Sequence, residues 1–417
     1  MPLFSIPLSG LLASSNALNV ISNNLANLNT IGFKDESANF QDLFYQTLGT
    51  TGAGNPIQMG AGTQVGSISS NFNNGNLQNT GVPTNVAITG NGFFVVRGAS
   101  GAMEFSRAGN FSIDAQGNLV TTGGQNVMGY PAVNGVINAG QGLTPIQLGQ
   151  GQINQPSATT TMSQTTNLNA SAAVGDTYST PLTVYDSLGS SHVMTFTYTK
   201  TGTNAWNYQI TLPAADTGGT GNPTVVASGA LAFNSNGALT TPAGAVTGIT
   251  VNGLVDGAAP LNLSWNLYDA NGGSLLTQVA SQSATSTTNQ NGYASGTLQT
   301  FTIGADGVIQ GSFSNGQSQA IGQIALANFA NNQGLQLMGG NDYAPTLASG
   351  SPVIGAPGSG GRGSLTGGAV ELSNVDISTE FTQLIVTQRG FQANARMVTT
   401  FDSISNDTIN LQAAPGN

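Results

Sequence analysis

Hydrophobic periodicity divides this chain into three parts, and that division limits the folds it can reach. In the first segment Leu11, Leu18 and Leu25 lie seven residues apart, and Ile21 and Leu28 fill the alternate position. This is the a/d stripe of a helix over about three heptads. Ser14, Ser15, Ser22, Asn23, Asn24 and Asn27 cover its other faces without a charge, and Gly32 is the stop signal. The last segment repeats the arrangement. Ile377, Leu384, Phe391 and Val398 are spaced by seven, with Phe381 and Ala395 beside them, before the stripe shifts to Phe401, Ile404 and Leu411. Asn374, Asp376 or Ser378 can cap this helix, and Glu380 suits its first turn. Both stripes are narrow, which calls for one or two partner helices rather than a globular core.

Between the ends, from about Gly52 to Gly368, the period is two. Strand-like runs include Val86–Ile88, Phe93–Arg97, Phe111–Ile113, Leu182–Tyr185, Val193–Tyr198, Trp206–Leu212, Leu263–Tyr268 and Phe301–Ile303. Four turn signals share one form: Asp114 to Gly117, Asp186 to Gly189, Asn234 to Gly237 and Asp269 to Gly272. The acid or amide caps a type I turn, and glycine takes the left-handed position. The fold expected is therefore mainly β with helical termini. Nested β-barrel or sandwich domains form the body, and the two terminal helices either pair with each other as a coiled-coil-like inner domain or pack with copies from other subunits.

Two weakly patterned stretches, Gly149–Ala173 and Ala280–Gln290, mark an inserted β module. A third stretch, Gly355–Gly368, reads as flexible. The expected organisation is residues 1–70 as N-terminal helix and extended linker, and 71–150 as the first half of an inner β domain. Residues 151–290 are an inserted outer β domain, 291–362 the second half of the inner one, and 363–417 a linker and C-terminal helix.

Composition narrows the function. Charged residues are 6% of the chain, against about 25% in ordinary proteins. Seven Lys and Arg against 17 Asp and Glu give a net charge of −10, which argues against nucleic-acid binding. No apolar run reaches the roughly 18 residues of a membrane helix. With no cysteine there is no disulfide, thiolate or Cys-ligated metal, and one histidine, His192, is a poor basis for a triad or zinc site. The Asp-x-x-Gly turns lack the ligand set of a calcium loop. Gly358 to Gly363 spells G-x-G-x-x-G but is not followed by a helix, so it reads as a linker. His192 starts a strand, and Trp206 and Trp265 read as core packing. No catalytic residue, cofactor site or metal site is expected. The first basic residue is Lys34, so no positive n-region is present and export would use a route without a cleaved signal.

The termini also carry a resemblance. The run from Ala17 to Lys34, with Asn23-Asn24, Ala26-Asn27, Thr30 and Gly32-Phe33-Lys34 in register, resembles the N-terminal signature of bacterial flagellar rod and hook proteins. Leu372 to Asp376 and Gln388 to Asn394 are similar to the family's C-terminal helix. Ala87 to Phe94, Ser106 to Phe111 and Gly129 to Pro131 are shared by rod and hook members. Leu182 to Gly189, Asn289 to Tyr293 and Ile321 to Leu335 resemble hook members. The distal rod protein is the near alternative, but it resembles a shorter chain without the inserted module.

The resemblance implies an extracellular helical homopolymer that joins rod to filament as a universal joint and transmits torque. Implied partners are further copies of the chain, the distal rod protein, the hook cap protein, the hook–filament junction protein and the type III export apparatus. Subunit contacts are then expected at Leu11, Leu18, Ile21, Asn23, Asn24, Leu25, Asn27, Leu28, Gly32, Phe33 and Lys34. At the other end they are expected at Ile377, Phe381, Leu384, Arg389, Phe391, Asn394 and Val398. Two other classes stay open: a secreted β-rich adhesin or carbohydrate-binding protein, and a polysaccharide hydrolase.

Overall fold

The computed structural model describes residues 5–98, 101–149 and 152–413. The expected boundary at Gly151 and the side chain of Leu411 lie outside the described residues. The chain divides into two compact units. The first comprises Met1–Gly149, Phe301–Gly311 and Gln319–Asn417; the second comprises Gln150–Thr300 and Ser312–Ser318.

The first unit carries both helices, α1 (Ser5–Ala26) and α2 (Ile377–Ala413). Asp376 is the N-cap of α2: its Oδ1 accepts the Thr379 N–H at 2.7 Å. After α1 the chain runs out and back as a long hairpin. Strand Glu36–Asp42 pairs antiparallel with Thr63–Ser70, and beyond it Gln46–Thr50 pairs with Pro56–Met59.

The β body of this unit is woven from both ends of the chain. Val86–Thr89 pairs with Ser364–Gly367, and Leu77–Asn79 with Ala369–Glu371. Strand Phe93–Arg97 is buried on both faces. Phe94 and Val96 enter one cluster with Ile88, Phe111 and Leu326, while Phe93 and Val95 enter another with Phe105, Met128 and Tyr343. Alternation of side chains across a strand makes a single apolar run serve two cores. Gly355–Gly368, read from sequence as flexible, instead contains the paired strand Ser364–Gly367.

The second unit is a sandwich of two five-stranded sheets. One is an antiparallel meander of Thr177–Tyr185, Ser191–Gly202, Ala205–Leu212, Thr224–Phe233 and Leu239–Thr241. The other orders Val246–Val251, Leu261–Asn266, Thr161–Asn169 and Leu276–Val279, with Ala284–Gln290 also pairing Thr161–Asn169. Inward side chains alternate with outward ones and meet in one core around Trp206 and Trp265, which are 1% and 0% exposed. Among the described residues no sheet closes into a barrel.

The two stretches read as weakly patterned hold strands that pair with each other, Thr161–Asn169 with Ala284–Gln290. The inward face of Thr161–Asn169 alternates Met162, Gln164, Thr166 and Leu168, all buried. Its polar members find side-chain partners: Gln164 donates its amide N–H to the Tyr198 hydroxyl, although its own Oε1 has no partner, and the Thr166 and Thr285 hydroxyls lie 2.9 Å apart. Buried amides and hydroxyls with partners hide a strand from a hydrophobicity count.

The four expected turns are all present. In each, the side-chain oxygen of the leading Asp or Asn accepts the N–H two and four residues on. The glycine at the fourth position has φ between +78° and +89°.

Candidate functional site

The terminal helices pack antiparallel. A Cβ at Gly10 would fall 2.7 Å from Asn394 Nδ2, one at Gly390 lies 3.9 Å from Ser14 Oγ, and Asn24 meets Glu380 further along. The glycines let the two backbones approach. The buried stripe of α1 is accordingly Gly10, Ala13, Ala17, Val20, Ile21 and Asn24, with Pro7. It lies one position off the heptad leucines. Leu11, Leu18, Leu25 and Leu28 are only half-buried, and Ile6, Leu8 and Leu12 are exposed. Heptad spacing ranks the leucines above glycine and alanine; beside that seam the sequence offers Ser14 and Ala17 as small residues for close packing, and the buried stripe adds Gly10 and Ala13.

α2 is the less covered of the two. Its 37 residues span about 55 Å, against about 33 Å for the 22 residues of α1. Phe381, Ile385 and Val386 are 53%, 49% and 65% exposed. Ile377, Arg389, Met397, Ile404 and Ile409 are exposed too, while Leu384, Phe391, Asn394 and Val398 are half-buried. A groove of about 360 Å³ runs between α1, strand Glu36–Asp42 and α2, lined by Ile21, Ala38, Phe40 and Val386 among others. The long hairpin adds Phe40, Phe44, Tyr45, Leu48 and Ile57, all exposed. The extended linker expected over residues 1–70 is this paired hairpin, and its aromatic residues belong to no sequence motif.

Of the motif residues at and beyond the end of α1, Asn24, Gly32, Phe33 and Lys34 are buried. Asn23 is exposed and Asn27 half-buried, and they close the helix end: Asn27 Nδ2 donates to Asn23 O at 2.9 Å, and Thr30 Oγ1 to Asn27 Oδ1 at 3.0 Å. Asn24 is fully buried. It donates to Glu36 O at 2.7 Å and to Glu380 Oε1 at 3.1 Å, and accepts the Glu36 N–H at 3.0 Å. One amide thus ties α1, the hairpin and α2. Gly32 has φ +73°, and a Cβ there would lie 2.7 Å from the Arg107 backbone, so only glycine fits. Phe33 is buried beside it.

Lys34, Arg107 and Glu371 form a buried charge group with no side-chain exposure. Lys34 Nζ reaches Glu371 Oε1 at 2.6 Å and Asn73 O at 2.7 Å; Arg107 Nη1 lies 3.6 Å from Glu371 Oε2. Gly75 N also donates to Glu371 Oε1, at 2.8 Å. Burial draws the Lys34 ammonium and Arg107 guanidinium below their ordinary values, and Glu371 opposes that for each. Carboxyls nearby are pushed up, chiefly by burial: Asp35, Glu36 and Glu380.

In the second unit Asp186, His192 and Asp256 bring possible ligand atoms within 4.8 Å of one another. However, both ring nitrogens of His192 already face carboxylates. Trp206 and Trp265 are in the core, as expected, and Trp206 Nε1 donates to Gln278 Oε1 at 2.8 Å.

Comparison with known proteins bears on the whole chain. Residues 6–34 match the model of flagella basal body rod proteins, and 87–167 that of the flagellar hook protein FlgE/F/G D1 domain. Residues 154–293 match the flagellar basal body protein FlaE D2 domain, and 366–411 the C-terminal region of basal body rod FlgEFG proteins. The flagellar hook protein FlgE of Salmonella typhimurium is 38% identical over 98% of this chain and 100% of its own length. That of Escherichia coli is 37% identical over the same shares, and that of Treponema pallidum 35% over 97% and 98%. A crystal structure of Helicobacter pylori flagellar hook protein FlgE2 is 17% identical with a TM-score of 0.49, covering 69% of this chain and 98% of that one. On near full-length identity above 30%, the chain belongs to the flagellar hook protein family.

Proposed function

We propose that the protein is the structural subunit of a bacterial flagellar hook, and that it polymerises through its terminal helices into a tube coupling rod to filament. The observation that carries this reading is the uncovered apolar face of α2, where Phe381, Ile385 and Val386 are each about half or more exposed. Apolar surface of that kind in one protomer marks a contact with another. Leu11, Leu18, Leu25 and Leu28 of α1, with Leu384, Phe391 and Val398 of α2, would complete their burial in the same contacts. Burial contributes about 25 cal/mol per Å². The exposed hairpin aromatics extend the surface. Asn24, Gly32, Phe33 and Lys34 serve it from within, by fixing where the helices stand.

The family supports further parts of the reading. Successive partners are the distal rod protein, the hook cap protein and the hook–filament junction protein, and export runs through the flagellar type III apparatus to the cell exterior. Among the described residues no helix is long and apolar enough to cross a membrane. The role is mechanical rather than catalytic. A nested organisation, with 71–150 and 291–362 as one β domain and 151–290 inserted into it, suits such a subunit; the compact unit of Gln150–Thr300 with Ser312–Ser318 supports the insertion but extends past residue 290. Nearly uncharged surfaces let neighbouring β domains slide through wet polar contacts with few ion pairs to break.

The test is Ile385→Asp. A charge in a dry contact costs several kcal/mol unless it is paired, so polymer should vanish from the sedimented fraction while monomer circular dichroism stays that of wild type. Ile385→Val should still give short tubes in negative stain. Tubes formed by Ile385→Asp would remove the helix face from the subunit contact.

A further inference from the structure

The chain has one histidine and 24 other charged side chains in 417 residues, yet four of its ionisable groups meet at one place in the second unit. His192, 6% exposed, stands at the start of strand Ser191–Gly202. Its Nε2 lies 3.0 Å from Asp186 Oδ2, and its Nδ1 lies 3.0 Å from Asp216 Oδ2. A neutral imidazole has one donor and one acceptor nitrogen. Between two carboxylates it would aim a lone pair at an anionic oxygen. Both contacts are attractive when the ring carries both protons.

The carboxylates come from separate segments. Asp186 leads the turn to Gly189, and its Oδ1 accepts from Leu188 N and Ser190 N at 2.8 and 2.9 Å, which favours the anion. Asp216 lies in the 3₁₀ turn Ala214–Thr217. The loop after Val246–Val251 leans on both. Val255 N donates to Asp216 O at 3.1 Å, Ala259 N donates to Ser187 Oγ at 3.0 Å, and Asp256 brings a third carboxylate to the Asp186 side.

We propose that His192 is held as an imidazolium and works as a proton-operated clamp: protonated, it ties these three segments together, and on losing one proton it releases the 3₁₀ turn carrying Asp216. Burial by itself would lower the ring's affinity for the proton, but the hydrogen bonds to Asp186 and Asp216 outweigh it and raise its pKa above the ordinary 6.5. The clamp's contribution is therefore fully present below pH 6.5 and is lost as pH rises through the raised value. Burial also opposes ionisation of Asp186. The hydrogen bonds from His192 and from the Ser190 and Leu188 amides outweigh it and hold Asp186 at about 2, so Asp186 stays anionic throughout that range.

With a single histidine, the ring signals of the untagged full-length protein need no assignment. A proton NMR titration should place the His192 midpoint above pH 6.5, and Asp216→Asn should move it down. Protection factors of the amides across 214–218 and 254–257, with the base-catalysed rise of free-amide exchange divided out, should fall at least about tenfold, on the scale of local opening, as wild type passes that midpoint. In His192→Gln they should be low at every pH. A wild-type midpoint at or below 6.5, or loop exchange that ignores the titration, would overturn the clamp. Displacement of the ring proton by added Zn²⁺ at low concentration would overturn it too, since a metal rather than a proton would then hold the segments.

Discussion

In the second unit, Trp265 is 0% exposed and packs against Phe196 and Tyr208 with ring centroids 5.1 Å apart in both cases. In α2, Phe381 is 53% exposed. Both are large aromatic residues in regular structure, and what differs is who covers them. The sandwich supplies its own second sheet. The helix pair spends its closest contact on Gly10, Ala13 and Ala17, which bury little area but bring the backbones near enough for Asn24 to reach Glu380. The larger residues are left on the outside. A region that hides small residues and shows large ones is, on the function proposed above, completed by contact with other copies.

That contrast can be broken most severely at its two aromatic ends. Trp265→Ala should cost about 3–5 kcal/mol and lower the melting transition of the second unit, read by calorimetry of the full chain. Phe381→Ala should leave monomer stability within about 0.5 kcal/mol of wild type, as exposed substitutions do, and still weaken polymerisation. Equal losses of monomer stability would mean that α2 is covered within the protomer after all.

A second test works inside the first unit, where polar groups rather than apolar area set the helix position. Glu371→Gln keeps an acceptor for Lys34 but removes the charge that answers both Lys34 and Arg107. A hydrogen bond to a charged group contributes about 1.5–3 kcal/mol, and a loss of that size is expected in denaturant unfolding of the monomer. The strand pairing of Ala369–Glu371 with Leu77–Asn79 places the substitution where the two ends of the chain cross. Protease should therefore find the terminal segments of the variant sooner than those of wild type. Unchanged stability would show that the three charges are held by the backbone around them and do not themselves hold it.

The sequence made the helices legible because apolar residues return every seven positions, and the turns legible because Asp or Asn leads and Gly follows three residues on. Strand Phe93–Arg97 showed as an unbroken apolar run, although not that its two faces serve different cores. Strand Thr161–Asn169 was obscured by Gln164 and Thr166, whose burial depends on partners about 35 and 120 residues away, at Tyr198 and Thr285. The helix contact was obscured because a heptad reading ranks Leu above Gly. The His192 group was not legible at all: Asp186 is six residues off, but Asp216 and Asp256 arrive on other loops. Local spacing records what one element does alone. It is silent about polar groups whose partners come from elsewhere in the fold.

The smallest effect expected is at Glu380, and it bears on how the helix pair answers to pH. This carboxylate is 4% exposed, and burial pushes it above the ordinary value of 4.5, with Asp35 and Asp376 adding to the rise and the Asn24 hydrogen bond opposing it. A carboxyl raised on folding binds more protons in the folded state than in the unfolded one. Its contribution is therefore most favourable below pH 4.5 and falls as pH rises through the raised value. Asp35 and Glu36 shift in the same direction, so mild acid should tighten the junction of α1, hairpin and α2. Asp186 of the second unit, held at about 2, has the opposite sign and loses stability only in strong acid. Glu380→Gln keeps an amide oxygen for Asn24 and removes the charge. Its stability at pH 7 should lie within about 1 kcal/mol of wild type, the scale of one neutral hydrogen bond. Amide protection along α1 should rise in wild type as pH is lowered from 7 towards 5, and rise less in the variant. If both rise alike, Asp35 and Glu36 carry the response, and Glu380 serves only as the acceptor for Asn24.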